Sequence, residues 1–312
     1  MRYKDHPALL AWCLGNELVV PFTLTTTTFY KTFNRILDFI HNEDPNHPVS
    51  TAILDLSKKN IFKIKWRMPA LDYYSLNVYN NIKNIEFKLD QVKMFWKGPY
   101  LIGEWAPNGY WEVEYAGWSV PIESTSTKKA ELFYDFYTKY IPQKDPRFLG
   151  SMAFFWGSRQ ECTYTWFSIF NENGASTEIV ETLSDCWKNK ITTHLSPQID
   201  YMLVDSLGAR DNVILPAGST HYASVWLKQY QADTALRYSW QIYKEDWMLY
   251  WTKTFNFLKK PPAETGLFTD STLQGTFFKA PHKEGPYRVF ITVFNSKGFC
   301  ATSNSPIYVI KQ

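Results

Sequence analysis

Only four of the 312 residues are cysteine (Cys13, Cys162, Cys186 and Cys300), and their scatter gives neither a disulfide framework nor a zinc-ligand spacing. No apolar run approaches the roughly 18 residues that a membrane span requires. The opening MRYKDHPALL lacks the apolar core of a secretory signal. An excess of one charge is missing too: Lys+Arg 33 against Asp+Glu 30 leaves a net +3. Such a balance argues for neither a nucleic-acid nor a membrane partner. The glycine-rich loops that cradle dinucleotides or nucleoside triphosphates are absent, as is the G-x-S-x-G elbow of serine hydrolases. No cofactor or metal is expected.

Aromatic residues, by contrast, are abundant. Trp 13, Tyr 20 and Phe 22 make up 18% of the chain. Large aromatic cores account for any single ring, while tryptophan at this density also suits sites for flat, weakly amphipathic ligands such as sugars. A hydrophobic share of 45% fills real cores and excludes disorder as the dominant state. The length suffices for two domains.

The first part alternates short apolar runs with amphipathic segments. Leu9–Leu14, Val49–Ile53, Tyr73–Tyr79, Tyr100–Gly103 and Phe148–Trp156 read as parallel strands buried on both faces. Between the first two, Phe29, Phe33, Ile36, Leu37 and Ile40 form one helical stripe. A second stripe runs through Leu132, Phe133, Phe136, Tyr137 and Tyr140, and a third through Ile179, Val180 and Leu183. Strand and helix in alternation predict an α/β domain. Lys58, Lys59, Lys63, Lys65 and Arg67 read as a solvated helix face. After about Lys190 the period changes to two: Tyr238, Trp240 and Ile242 alternate with Ser239 and Gln241. Tyr287, Val289, Ile291 and Val293 alternate with Arg288, Phe290 and Thr292. With turn signals between them, these runs predict an antiparallel immunoglobulin-like β-sandwich. The expected division is 1–191 and 198–312, at the Thr192–Gln198 segment that holds Pro197.

Two carboxylates fall just past or at the ends of apolar strands, Glu17 in LAWCLGNEL and Glu104 in YLIGEW. In parallel α/β sheets and barrels, active sites are built at the carboxyl ends of strands. An acid there is costly unless exposed, paired or used. Two converging carboxylates without a metal suit glycoside cleavage, one acid protonated for the leaving oxygen and the other ionised for attack at the anomeric carbon. The plainer alternatives are a capping or surface role for either acid, core packing for Tyr79 and a loop-satisfying amide for Asn77.

These segments resemble the retaining (β/α)8 glycosidases, most closely the catalytic domain of glycoside hydrolase family 2. HPALLAWCLGNEL is similar to that family's fourth-strand motif, SLNVYNN to its sixth, PYLIGEW to its seventh and SMAFFWGSRQECTYTWF to its eighth. The resemblance covers about residues 1–190. It implies Glu17 as acid/base, with a pKa raised by nearby negative charge and partial burial, and Glu104 as nucleophile, held ionised by a hydrogen bond from Tyr79. It further implies that Asn16 contacts the sugar hydroxyl beside the anomeric carbon and that Trp156 stacks under the ring. Asn77 and Trp105 are added as candidate substrate contacts. Retention is the expected stereochemistry.

The fold class expected is therefore α/β, a partial TIM barrel comprising strands 4–8, followed by the all-β sandwich. The family's first three strands have no counterpart here. An open five-stranded piece leaves an unpaired edge, so the chain is expected to be the C-terminal part of a longer enzyme or to recruit a missing N-terminal half-barrel. The expected partner is an oligosaccharide or polysaccharide, with no nucleic acid and no membrane span. By analogy with such enzymes the location would be secreted or periplasmic. The alternative functions are a non-catalytic carbohydrate-binding module and a structural adhesion module. In the sandwich, Trp226, Trp240 and Trp247 are candidate glycan contacts, with core packing the simpler account of Trp240.

Overall fold

The computed structural model describes residues 2–18, 27–54, 56–228, 235–245 and 260–311, so Trp247 lies outside the described residues. The chain packs as two compact units, Met1–Ala106 with Lys139–Phe154, and Pro107–Thr138 with Phe155–Gln312.

The first unit holds one five-stranded sheet with strands β1 (Trp12–Asn16), β2 (Val49–Ile53), β3 (Tyr73–Val78), β4 (Tyr100–Trp105) and β5 (Phe148–Ala153). They lie in the order β1-β2-β3-β4-β5, every neighbouring pair parallel. The central strands β2 and β3 are buried at every residue, as continuous apolar runs require of a sheet covered on both faces. The outer strands differ. β1 begins at Trp12 rather than Leu9, and Leu10 is exposed; on β5, Leu149 and Met152 are exposed. An apolar run therefore does not by itself mean two-sided burial: β1 and β5 are the sheet's edges and lack a second flanking strand among the described residues.

Helices α1 (Thr28–Glu43), α2 (Lys58–Arg67) and α3 (Ile85–Val92) link the first four strands. The buried face of α1 is Tyr30, Phe33, Leu37 and Ile40. Ile36, expected on that stripe, is exposed, and Tyr30 takes the place on the inner face. Helix α2 starts at Ser57, whose hydroxyl accepts from the Asn60 amide at 3.3 Å. It buries Ile61 and Ile64 and leaves its lysines outward.

The second unit contains α4 (Ser126–Lys139), whose last residue reaches into the first unit, α5 (Glu178–Lys188) and the strands β6 (Ile199–Val204), β7 (Ile214–Pro216), β8 (Thr220–Leu227), β9 (Arg237–Lys244), β10 (Ala263–Glu264), β11 (Gly275–Lys279), β12 (Gly285–Phe294) and β13 (Cys300–Ile310). They form a five-stranded sheet, β10-β9-β12-β13-β7, and a three-stranded sheet, β11-β8-β6. All pairings are antiparallel except β13 with β7, which is parallel. Met202, Val204, Ala223, Val225 and Phe278 from the smaller sheet share one core with Trp240, Ile242, Val289, Ile291 and Val293 from the larger. Trp240 is thus a core residue, its indole N–H donating to the Leu273 carbonyl at 2.8 Å.

The alternation on β12 has a further consequence. Arg288, Phe290 and Thr292, the residues between the core positions, are also buried. Phe290 packs against Tyr164 and Tyr243, and the Arg288 guanidinium donates to Glu245, to the Asn304 side chain and to the Pro121 carbonyl. Segments 107–138 and 155–170 thus pack on this outer face. Packing divides the units at 106/107, 138/139 and 154/155.

Candidate functional site

The expected catalytic residues gather at one end of the parallel sheet, where the strands finish. Glu17 follows β1 directly, Asn77 lies near the end of β3, Tyr79 follows β3, and Glu104 is the penultimate residue of β4. A parallel sheet brings all its carboxyl ends to the same side, so residues far apart in sequence meet there.

Asn77 joins the two halves. Its Cα is the register partner of Glu104 across β3 and β4. Its side-chain Nδ2 points the other way along the rim and donates to Glu17 Oε1 at 2.8 Å and to Asn16 Oδ1 at 3.1 Å. Asn77 is buried, and its Oδ1 has no partner among the described residues. The cost of an unmet carbonyl in the interior, about 1–3 kcal/mol, is thus tolerated here so that the amide N–H groups face the acid.

Glu104 is half-buried and accepts a hydrogen bond from the Tyr79 hydroxyl at 3.1 Å. The Tyr79 ring is held edge-on against Phe154, centroids 5.8 Å apart at 78°. Gly103, just before Glu104, has a local reason: a Cβ there would sit 2.1 Å from the Ser75 hydroxyl oxygen on β3. Glycine thus leaves room for the Ser75 hydroxyl beneath the acid.

Glu17 is exposed, and its backbone is in the left-handed region at φ 51. For a side chain of this size that conformation is uncommon and costs of order 1 kcal/mol. Its amide donates to the Ala52 carbonyl at 3.1 Å, which ties the turn to β2. Beside it, Glu17, Thr51, Asn60, Lys63 and Met68 border a hollow of about 260 Å³; Glu104 is not part of its lining.

The remaining expected residues are placed differently. Trp105 is fully buried in β4, with its ring in the interior rather than on an open surface. Trp156 belongs to the second unit, where it is 55% exposed and packs against Trp187 and Phe170. Beneath β1, His47 of the Asp-Pro-Asn-His turn bonds Asp44 Oδ2 at 2.9 Å, a hydrogen-bonding role its place in the turn suggests, and the Trp12 indole, which sequence reasoning overlooked, donates to the same oxygen at 2.8 Å. No group of three or more His, Cys, Asp or Glu side chains among the described residues has the arrangement of a metal site. No helix among them is long and apolar enough to cross a membrane.

No family model matches the chain, and no curated protein matches it. Among solved structures it is similar to an alpha-L-arabinofuranosidase from Thermotoga maritima, at 9% identity and TM-score 0.41, over 98% of this chain and 68% of that one. It is similar to a beta-glycosidase from Bacteroides vulgatus at 12% identity and TM-score 0.34, over 99% of this chain and 52% of that one. A nucleoside hydrolase-related protein from Saccharophagus degradans, associated with carbohydrate metabolism, gives 11% identity and TM-score 0.28 over 91% and 75%.

Proposed function

We propose that the chain is the C-terminal part of a retaining glycoside hydrolase, with residues 1–191 derived from strands 4–8 of a TIM barrel related to glycoside hydrolase family 2 and 198–312 forming an immunoglobulin-like domain. The observation that carries the reading is the polar rim itself: Glu17 and Asn16 held by Asn77, and Glu104 held by Tyr79, at the carboxyl ends of three parallel strands. The Asn77 amide and the Tyr79 phenol orient the two carboxylates at the rim.

In this reading Glu104 attacks the anomeric carbon as the bond to the leaving oxygen breaks, and Glu17 delivers its proton to that oxygen. A glycosyl ester on Glu104 results. Water then attacks the anomeric carbon, Glu17 takes its proton, and the ester bond to Glu104 breaks, restoring both acids. Tyr79 stabilises the Glu104 carboxylate before attack and after release. Asn16 bonds the hydroxyl next to the anomeric carbon. Retention needs the two carboxyl groups about 5–5.5 Å apart. The exposed apolar residues on the edge strands, Leu149 and Met152 on β5 and Leu10 before β1, favour completion of the sheet by further barrel strands from another segment.

The test is covalent. A 2-deoxy-2-fluoro glycoside with an activated leaving group traps the ester in such enzymes, and peptide mass spectrometry should locate the added sugar on Glu104. Glu104→Gln should prevent labelling and abolish turnover of aryl glycosides. A broad aryl-glycoside panel that yields neither turnover nor label would overturn the catalytic reading.

A further inference from the structure

Strands β6, β8 and β11 have a second face, turned away from the sandwich core. Its positions alternate with the buried Met202, Val204, Ala223, Val225 and Phe278. On an antiparallel sheet with one wet face these positions ordinarily carry polar or charged side chains. Here they carry Tyr201, Tyr222, Trp226 and Phe277, each between 42% and 54% exposed.

Register sorts the four rings into two pairs. Phe277 lies opposite Tyr222, ring centroids 5.0 Å apart. Tyr201 lies opposite Trp226 at 5.8 Å, the planes within 28° of parallel. Between the pairs, Gly275 and Leu203 flank Ser224 in register, a row without a ring that leaves a gap over Gly275. A Cβ at position 275 would meet the Tyr222 hydroxyl oxygen at 2.0 Å, so glycine is what lets the phenol lie across that gap. Tyr222 and Trp226 are four residues apart on one strand, about 13 Å. Only an extended ligand reaches both pairs.

We propose that this face is a binding site for an uncharged polysaccharide, separate from the carboxylate rim. Charge complementarity selects the ligand. The outward row is neutral between Lys279 at one end and the bulged Asp200 at the other, and the charges that border it beyond β6 are of both signs, Lys128 and Arg210 with Glu114 and Asp211. A nucleic acid stacking on such rings would need a cationic groove along its backbone, and an acidic or basic peptide would need opposite charge. What remains is a neutral chain of rings with apolar faces and hydroxyl rims. Apolar aromatic faces ringed by phenol, indole and serine donors match those two surfaces, and exposed apolar patches of this kind mark binding sites.

The inference does not depend on the catalytic reading, and its test separates the two. Affinity electrophoresis of the full chain would use neutral xylan, glucomannan, galactomannan and mixed-linkage β-glucan, with glucose and polygalacturonate as controls. At least one neutral polymer should retard the wild type, while neither control does. Trp226→Ala and Tyr222→Ala should each weaken that retardation at least tenfold, Trp226→Tyr should restore part of it, and Glu104→Gln should leave it unchanged. Circular dichroism on each variant separates a lost platform from a lost fold, and Phe277→Ala serves as the replacement for any variant that fails to fold. Retardation by no neutral polymer, or retardation of folded Trp226→Ala and Phe277→Ala equal to that of the wild type, overturns the proposal. So does a concentration-dependent dimer in sedimentation velocity that Trp226→Ala abolishes, because the occupant would then be a second copy of the chain.

Discussion

Two carboxylate clusters, one in each unit, are built in opposite ways. At the rim of the parallel sheet, Glu17 and Glu104 are exposed or half-buried and receive hydrogen bonds from an amide and a phenol. In the second unit, Glu123 is buried and fully engaged: Lys129 Nζ donates to it at 2.5 Å, Thr163 Oγ1 at 2.6 Å and Asn304 Nδ2 at 2.7 Å. Burial would push its pKa up, but the Lys129 charge and hydrogen bond outweigh it and hold Glu123 below the usual carboxylate range. Arg288 and Glu245, both fully buried, form a second such pair. A buried carboxylate held by a lysine and two further donors is committed to structure.

The sharpest test of this contrast is Glu104→Gln, which should remove aryl-glycoside turnover while moving the thermal midpoint by no more than a surface substitution does, about 0.5 kcal/mol in stability. A large loss of stability would place Glu104 with the structural acids instead. Next in size, Glu123→Ala leaves Lys129 buried and unpaired and should cost about 3–5 kcal/mol by denaturant unfolding. A loss under 1 kcal/mol would mean that the pair adds little to the packing around it.

A third acid group in the second unit lies between these extremes. His194 donates through both ring nitrogens, to Glu178 Oε1 and Asp185 Oδ2, each at 3.0 Å. The Glu178 hydrogen bond, opposed by burial and reinforced by Asp185, pushes its pKa up to about 9. A folded-state pKa above the ordinary 6.5 means that its stabilisation is complete below about pH 6.5 and is lost as pH rises through 9. The wild type should therefore exceed His194→Gln in thermal midpoint at pH 6, with the gap closing by pH 10. A gap that does not change with pH would mean that the imidazolium contributes shape and not charge. The smallest effect expected is local to the first unit: Ser57→Ala removes the α2 cap and should cost about 1 kcal/mol in urea unfolding.

Much of the architecture was legible because burial imposes a period. The five parallel strands, the stripes of α1, α4 and α5 and the alternation on β9 and β12 were readable from apolar spacing, whereas α3 and the other sandwich strands were not. The two acids were readable too, because Glu17 and Glu104 follow runs that end as strands do. Other features were not. Ile36 and Tyr30 lie six residues apart on α1 and both fit an apolar stripe, and only the surface the helix packs against selects Tyr30. Trp105 and Trp226 are the same residue type with opposite fates, one fully buried and the other about half exposed. Alternation told that β12 has two faces, yet not that Arg288 on the second face would be covered.

Composition and periodicity by themselves determined which segments become strands and helices, since those depend on neighbours a few residues away. Tertiary structure alone decided that Asn77 reaches back to Glu17 while its strand pairs with Glu104, that Lys129, Thr163 and Asn304 converge on Glu123, and that four rings from three strands share one wet face. Each of those depends on residues distant in the chain being brought side by side, and local spacing carries no record of which partner arrives.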